Sequence, residues 1–173
     1  DSSKPPNIAD YSFPLLIKDL DDLIHGLGYD TATVLGHDWG GGVAWTHALN
    51  YPQSVHRLIV CNIPHPAVSL RLLSTNKEQQ SRSWYTLFFK TPRLPEAYTV
   101  ADDFKLFDDY FRGHYGFKKQ ENFTVEDMEA WKCTFSKPGC LRSALNYYRA
   151  LFQNPGKGFT METCTVKTLI LWG

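Results

Sequence analysis

The sequence predicts an α/β fold in which a block of helices interrupts a parallel sheet. Two short apolar, β-branched segments flank a helical segment in the first third of the chain, and a third apolar segment lies at its end. The order strand, helix, strand is the signature of parallel α/β architecture. Only helical patterns occur between residues 64 and 159. With 43% hydrophobic residues among 173, the chain has enough apolar side chains for a sizeable core.

The first elements are a loop, a helix and a strand. Residues 1–10 hold two prolines and no periodicity, which predicts a loop. Over residues 11–27 the apolar side chains follow helical spacing, and glycines then end the helix. The segment TATVLGH, residues 31–37, is apolar and bounded by turn residues, so we expect a short buried strand. Three acidic side chains are expected on the face of the helix opposite to the apolar one: Asp19, Asp21 and Asp22.

The alternation continues to a second strand and then gives way to helices. Residues 40–51 predict a helix that ends before a proline, and RLIVCN, residues 57–62, predicts another buried strand. Thr124 and Asp127 form a capping box that opens a helix toward Phe135. Two later segments predict an amphipathic helix and a last strand, residues 140–152 and residues 166–173.

One turn combines a strand end, a helix start and a reactive side chain. Residues 36–40, Gly-His-Asp-Trp-Gly, follow a predicted strand directly and open a predicted helix. This context indicates a nucleophile elbow with Asp38 as the nucleophile, whereas the bare pattern would also fit an N-cap aspartate between glycines. The two glycines are expected because the turn is too sharp for nearby Cβ atoms. The helix N-terminus would stabilise the carboxylate, and the Trp39 N–H would supply one oxyanion-hole donor.

A carboxylate at such an elbow performs different chemistry from a serine hydroxyl. It attacks an sp³ carbon, displaces a leaving group and forms an alkyl ester with the enzyme. Water then cleaves that ester with the help of a general base. The expected substrates are therefore molecules with a strained or electrophilic alkyl carbon, chiefly epoxides or alkyl halides.

Four motifs together carry a family resemblance over essentially the whole chain: GHDWGGGVAW, CNIPHP, FSKPG and LNYYR. With them the chain resembles the epoxide hydrolase branch of the α/β-hydrolase fold family, most closely its animal members. The resemblance implies a partial α/β-hydrolase parallel sheet with an inserted all-helical cap (lid) domain. It assigns residues 1–63 to the hydrolase core with the elbow, 64–160 to the helical cap and 161–173 to a returning core strand.

The resemblance also implies roles for particular side chains. Two cap tyrosines of the family hydrogen-bond the epoxide oxygen, and their motifs map onto Tyr85 in WYTLFF and Tyr148 in NYYR. A phenol suits this role, because the opening epoxide develops an alkoxide. Tyr85 would otherwise be a core aromatic. Tyr147 and Tyr148 are neighbours on a helix, so only one of them can face the site, and the position before Arg149 matches the family.

Other residues of the motifs are expected to support the site. Trp39 would line the pocket and contact the substrate, or pack, or both. His37 is expected to face into the fold and not to be the catalytic base, and His65 to shape the cap entrance.

Three parts of the family's machinery have no counterpart in the sequence. These are an upstream H-G-x-P segment, an acid that would follow a few residues after Gly173, and a later histidine that activates water. We therefore interpret the chain as an internal fragment. The intact parent is expected to be an active enzyme, and the 173 residues alone to be inactive or to stall at the alkyl ester.

Composition restricts the partners. Basic and acidic residues balance at 18 each, which argues against nucleic acid, and the four cysteines match no zinc pattern and indicate reduced thiols. We expect a small apolar epoxide as the substrate and no metal or cofactor. The expected location is intracellular, either in the cytoplasm or at the endoplasmic reticulum membrane through a possible upstream anchor.

Two other interpretations stay open at this point. A haloalkane or haloacid dehalogenase uses the same aspartate elbow and would hold the halide with an indole N–H, which suits Trp39. The tyrosine pair favours epoxides over halides. The other interpretation is a catalytically incomplete fragment that binds apolar ligands under its cap, in agreement with the missing acid and base.

Overall fold

The computed structural model describes residues 2–114 and 116–173. Over these residues the chain forms a three-stranded sheet and eight α-helices. In chain order the elements are α1 (Phe13–Gly26), β1 (Ala32–His37), α2 (Asp38–Asn50), β2 (Val55–Cys61), α3 (Pro66–Thr75), α4 (Lys77–Arg82), α5 (Trp84–Lys90), α6 (Leu94–Arg112), α7 (Val125–Ser136), α8 (Cys140–Gln153) and β3 (Thr168–Leu171).

The three strands are parallel, in the order β1-β2-β3, which confirms the predicted parallel sheet. The register pairs His37 with Cys61, and Cys61 with Leu171, so the carboxyl ends of the strands are level. In open parallel sheets functional side chains gather at this edge. Asp38, the residue directly after β1, therefore lies where the architecture favours a site.

The helices α1 and α2 cover one face of the sheet. Ile24 from α1 and Trp45 from α2 pack with Val34, Leu58 and Val60 of the strands. Leu58 and Val60 have no exposed surface. This cluster is the apolar core that fixes β1 against α2, and with it the turn between them.

β1 and β2 are buried on one face only, and β3 is exposed throughout, which corrects the expectation of buried strands. Leu35 on β1 is 65% exposed, whereas Val34 beside it is buried. In β1 and β2 the reason is that side chains alternate between the two faces of a strand, and the core formed with α1 and α2 lies on one of these faces.

The predicted helices at the start of the chain are confirmed, with shifted ends. A separate 3₁₀ turn, Ile8–Tyr11, precedes α1, which begins at Phe13 with Pro14 in its first turn. The second helix begins at Asp38, two residues before the predicted start, because the elbow residues already have the helical hydrogen bonding of α2.

The predicted capping box at the start of α7 is confirmed. The Asp127 N–H donates to Thr124 Oγ1 at 3.2 Å, and the Thr124 N–H donates to Asp127 Oδ2 at 2.8 Å. Each side chain thus satisfies a backbone N–H of the other residue, which is why the helix begins at this position.

The described residues form two compact units, each of which is considered by itself. The sheet unit consists of Asn7–Trp84 and Ala150–Gly173. The helical unit consists of Tyr85–Arg149 and the residues before Asn7. The division at residues 63/64 and 160/161 into core and cap stays a prediction.

Aromatic rings join α6 and α7 in the helical unit. The ring centroids of Phe107 and Phe135 lie 5.3 Å apart, and those of Phe111 and Trp131 lie 4.8 Å apart. A turn breaks α6 at residues 101–104, where three residues have positive φ angles: Asp102, Asp103 and Phe104.

Within residues 2–114 and 116–173, each helix is too short or too polar to cross a bilayer.

Candidate active site

The elbow residue Asp38 has a strained backbone. Its φ angle is 52°, in the left-handed region that side chains other than glycine rarely adopt. The preceding His37 is extended, with φ −122° and ψ 143°, so the chain passes from strand to helix within a single residue. This sharp reversal presents the Asp38 side chain, which is exposed, at the carboxyl edge of the sheet.

Two glycines make the turn possible, and only one of them belongs to the predicted pair. A Cβ on Gly36 would lie 2.4 Å from the carbonyl oxygen of Gly40, and a Cβ on Gly41 would lie 2.4 Å from Cγ2 of Ile63. Both distances are shorter than real contacts. A Cβ on Gly40 would meet nothing within 4 Å, so the expectation that this glycine is required by crowding is wrong.

The carboxylate of Asp38 is held by the start of its own helix. Its Oδ2 accepts a hydrogen bond from the Trp39 N–H at 2.7 Å. The carboxylate also lies in the first turn of α2, where the partial positive charge of the helix end stabilises an anion.

The indole of Trp39 packs beside the elbow and is partly exposed. Its ring centroid lies 5.8 Å from that of Phe13, which in turn lies 4.7 Å from Phe159. These contacts show the packing role, and the exposed part of the ring leaves surface for the predicted contact with a ligand.

His37 is exposed, so the expectation that it faces into the fold is wrong. The reason is the alternation along β1: Val34 and Gly36 point into the core, and Leu35 and His37 point to the opposite face. His65, by contrast, packs against Trp45 at the start of α3, with ring centroids 5.3 Å apart and the rings tilted by 58°.

The two predicted tyrosines lie together in the helical unit. The ring centroids of Tyr85 on α5 and Tyr148 on α8 are 6.3 Å apart, and the rings are nearly perpendicular at 83°. Phe89, one turn after Tyr85, lies 5.0 Å from Tyr148. Tyr85 is 40% exposed, which disagrees with the alternative of a core aromatic. Two helices thus bring two phenols to one place.

The predicted site residues therefore form two local pairs. Asp38 and Trp39 belong to the sheet unit, and Tyr85 and Tyr148 belong to the helical unit.

A buried polar cluster, unpredicted from sequence, lies between α1 and α2. The Ser54 hydroxyl donates to Asp21 Oδ1 at 2.7 Å, and His47 Nε2 lies 3.2 Å from the same oxygen. The expected outward position of Asp21 is wrong, because its carboxylate pairs with these two buried side chains. The polar spacing of α1 gave no signal of this, since both partners lie far along the sequence.

This serine, histidine and aspartate do not form a nucleophilic triad. Ser54 and His47 have no exposed surface, and both approach a single carboxylate oxygen, whereas a triad places the acid on the second ring nitrogen of the histidine. Burial lowers the pKa of His47, against the opposing effect of Asp21. The hydrogen bond from Ser54 lowers the pKa of Asp21, and His47 adds to this effect. The cluster is thus a structural connection between α1 and α2.

The residues that the structure describes hold no group of three or more histidine, cysteine, aspartate or glutamate side chains arranged to bind an ion.

The geometry of the strand, elbow and helix can now be compared with known proteins. A family model of the alpha/beta hydrolase fold matches residues 1–173. The chain belongs to the α/β-hydrolase fold family. This confirms the predicted fold class.

Within the α/β-hydrolase family, several of the relatives that match are epoxide hydrolases. The chain is 42% identical to epoxide hydrolase 1 of Caenorhabditis elegans, over 99% of the chain and 43% of that protein. It is 38% identical to epoxide hydrolase 4 of Mus musculus, over 100% of the chain and 48% of that protein. The chain thus spans about half the length of the curated relatives it matches, and the predicted resemblance to this branch is confirmed.

Solved structures give the same result. The crystal structure of a Bacillus megaterium epoxide hydrolase in complex with an inhibitor matches with a TM-score of 0.80 and 33% identity. The match covers 99% of this chain and 62% of that one.

Proposed function

We propose that the protein to which these residues belong is an epoxide hydrolase in which Asp38 is the nucleophile. The observation that carries this proposal is a carboxylate, rather than a hydroxyl, on the strained residue between β1 and α2. The names of the relatives support the same reaction class.

In the proposed reaction an oxygen of Asp38 forms a bond with one epoxide carbon, and the bond between that carbon and the ring oxygen breaks. The ring oxygen takes a proton from a tyrosine. Water then adds to the ester carbonyl carbon, and the diol leaves with the original aspartate oxygen. The restored carboxylate keeps the oxygen of that water, one of its protons goes to the leaving diol oxygen, and the other returns to the tyrosine.

Tyr85 and Tyr148 are the proposed proton donors. This role is supported by the short separation of the two rings and by the partial exposure of Tyr85. Two donors on one oxygen stabilise the alkoxide as it develops, which lowers the barrier of ring opening more than that of ester hydrolysis. Trp39 is proposed to contact the substrate beside the nucleophile.

The acid and histidine that activate water are proposed to lie in sequence outside these 173 residues, since the relatives are about twice as long. The first test is to read the coding sequence in both directions from this segment. An upstream H-G-x-P, an acid soon after Gly173 and a later histidine would support the proposal. A coding sequence that lacks the acid and the histidine would contradict it.

The second test is a single turnover of the full-length protein with an aryl epoxide, such as styrene oxide, in heavy-oxygen water. We expect the label in the Asp38 carboxylate and not in the first diol, because water attacks the acyl carbon. Mass spectrometry of the elbow peptide measures this. Asp38→Asn should form no ester, and Asp19→Asn, the same change on the exposed face of α1, should react normally. Label in the first diol would contradict a covalent mechanism, and turnover of haloalkanes instead of epoxides would support the dehalogenase.

A further inference from the structure

Arg149, the residue after Tyr148, is buried and, besides Asn146 on its own helix, binds two groups of the connection between α5 and α6. Its side chain is 9% exposed. Nη1 and Nη2 contact the two carboxylate oxygens of Glu96, each at 2.8 Å, and Nη2 also donates to the Thr91 carbonyl at 2.9 Å. This two-pronged geometry is one that an arginine provides and a lysine does not.

The two partners of Arg149 belong to the connection between α5 and α6. Thr91 follows the last residue of α5 and closes its final turn, since its N–H and its hydroxyl both donate to the Phe88 carbonyl, at 3.0 and 2.8 Å. Glu96 lies in the first turn of α6. A single side chain from α8 therefore fixes the end of α5 and the start of α6.

The helices joined in this way are those that carry the two tyrosines. Tyr148 directly precedes Arg149 on α8, and Tyr85 lies on α5. Phe89 completes the contact, because its ring lies 5.9 Å from Tyr85 and 5.0 Å from Tyr148. The separation of the two phenols thus depends on how α5 is held against α8.

The Arg149–Glu96 pair is charged at neutral pH. Burial alone would raise the pKa of Glu96, but the hydrogen bonds and charge of Arg149 hold that pKa below its ordinary value. Buried ion pairs contribute little net stability compared with apolar side chains of the same size, and their better attested effect is to select one arrangement of the elements that they join. The arrangement selected here is that of α5 relative to α8.

We propose that Arg149 is a positioning residue, which through Glu96 and Thr91 holds Tyr85 and Tyr148 at the separation that lets both phenols act on one epoxide oxygen. This inference rests on the proposed function, because it assigns Arg149 a share in ring opening. It acts on that step, since in ester hydrolysis the tyrosine only takes back its proton and stabilises no developing alkoxide.

The test separates the two chemical steps in the full-length protein by rapid-quench kinetics with styrene oxide. We expect Arg149→Met to lower the rate constant of alkyl-ester formation about a hundredfold, the size of effect that displaced catalytic groups produce. The rate constant of ester hydrolysis should be unchanged. Arg149→Lys and Glu96→Gln, which alter the side chains less, should slow ester formation by smaller factors and provide folded variants.

A structural role alone would give a different result. Fewer folded molecules would lower the amplitude of ester formation and leave both rate constants at their wild-type values, which would overturn the proposal. Arg82→Met removes an exposed pair with Glu78 on α4 and should change neither rate constant. It is the matched control for the loss of an arginine.

Coupling between variants gives the sharpest discrimination. If Arg149 acts through the phenols, Arg149→Met should slow ester formation less than about twofold further in a Tyr85→Phe, Tyr148→Phe background. Independent effects that multiply would overturn the positioning role. Absence of an alkyl ester in the wild-type protein would overturn the proposed function as well, so the two failures are distinguishable.

Discussion

At the scale of single residues, Asp38 combines a strained backbone with a carboxylate that is the proposed nucleophile. Its left-handed φ angle is the result of a turn that leaves β1 and enters α2 without intervening residues. The same turn places the carboxylate against the Trp39 N–H and the start of the helix. The side chain that would perform the chemistry thus occupies a position where glycine would have the lower backbone energy.

This strain gives a prediction for two inactive variants. Asp38→Gly should be more stable toward unfolding than Asp38→Ala by about 1 kcal/mol, because only glycine adopts the left-handed region without a steric cost. Urea unfolding of the two variants measures the difference. At Asp19 in the middle of α1 the order should reverse, since glycine costs about 1 kcal/mol relative to alanine there. Equal stabilities at position 38 would contradict a strained elbow.

What the sequence reveals at this scale depends on how local the signal is. Asp38 could be predicted because its strand, turn and helix are contiguous. Tyr85 and Tyr148 came from the family resemblance, since nothing in their spacing places them side by side. The ion pair of Arg149 with Glu96 was not predictable, because the partners lie 53 positions apart. Asp21 was placed wrongly for the same reason.

At the scale of elements, the cluster of Asp21, His47 and Ser54 fastens α1 to α2. All three are joined through one carboxylate oxygen. Among the described residues, Nδ1 of His47 is buried without a hydrogen-bond partner. The neutral imidazole tolerates this environment better than the charged form.

The cluster should make stability depend on pH. Because burial lowers the pKa of folded His47, the unfolded chain takes up a proton that the folded chain does not, so stability falls as the pH drops below about 6.5. The lowered pKa of Asp21 adds a second loss below about 3.9. His47→Gln should remove the decline between pH 7.5 and 5.5 in urea unfolding. His56→Gln, on the exposed side of β2, should preserve it, and an unchanged decline in His47→Gln would contradict the assignment.

The capping box gives a prediction for α7. Thr124→Ala should lower the free energy of unfolding by about 1 kcal/mol, because the Asp127 N–H loses its acceptor. Thr124→Ser keeps the hydroxyl and should stay close to wild type. Thermal unfolding of both variants measures this. An equal loss in the two would indicate that the threonine methyl group, and not the cap, is responsible.

At the scale of the whole molecule, one face of the sheet and its β3 edge display apolar side chains. Leu35 is 65% exposed, Leu169 51% and Leu171 48%, and Trp172 follows them. Contiguous apolar surface of this kind marks an interface, and an unpaired strand edge is a template for further pairing. The parallel sheet was predictable from strand and helix order, whereas the uncovered face was not, because apolar strands look the same whether one face is covered or both.

The exposed face predicts the behaviour of the 173 residues when they are produced alone. We expect self-association and binding of a hydrophobic dye, together with an absence of diol formation. Light scattering, dye fluorescence and product analysis measure these properties. Introducing Leu35→Lys and Leu169→Lys should reduce self-association. A monomer that turns over epoxides would contradict both the interface and the proposed need for an external acid and base.

The two glycines of the elbow also differ in what they permit. At Gly36 any side chain would collide with the backbone of α2, so no other residue fits at this position. Gly40 has open space around it and lies two residues after the nucleophile, on a helix that gains from a side chain. A library built at position 40 would therefore alter the neighbourhood of Asp38 while leaving the turn itself intact, which makes it a starting point for changing substrate preference.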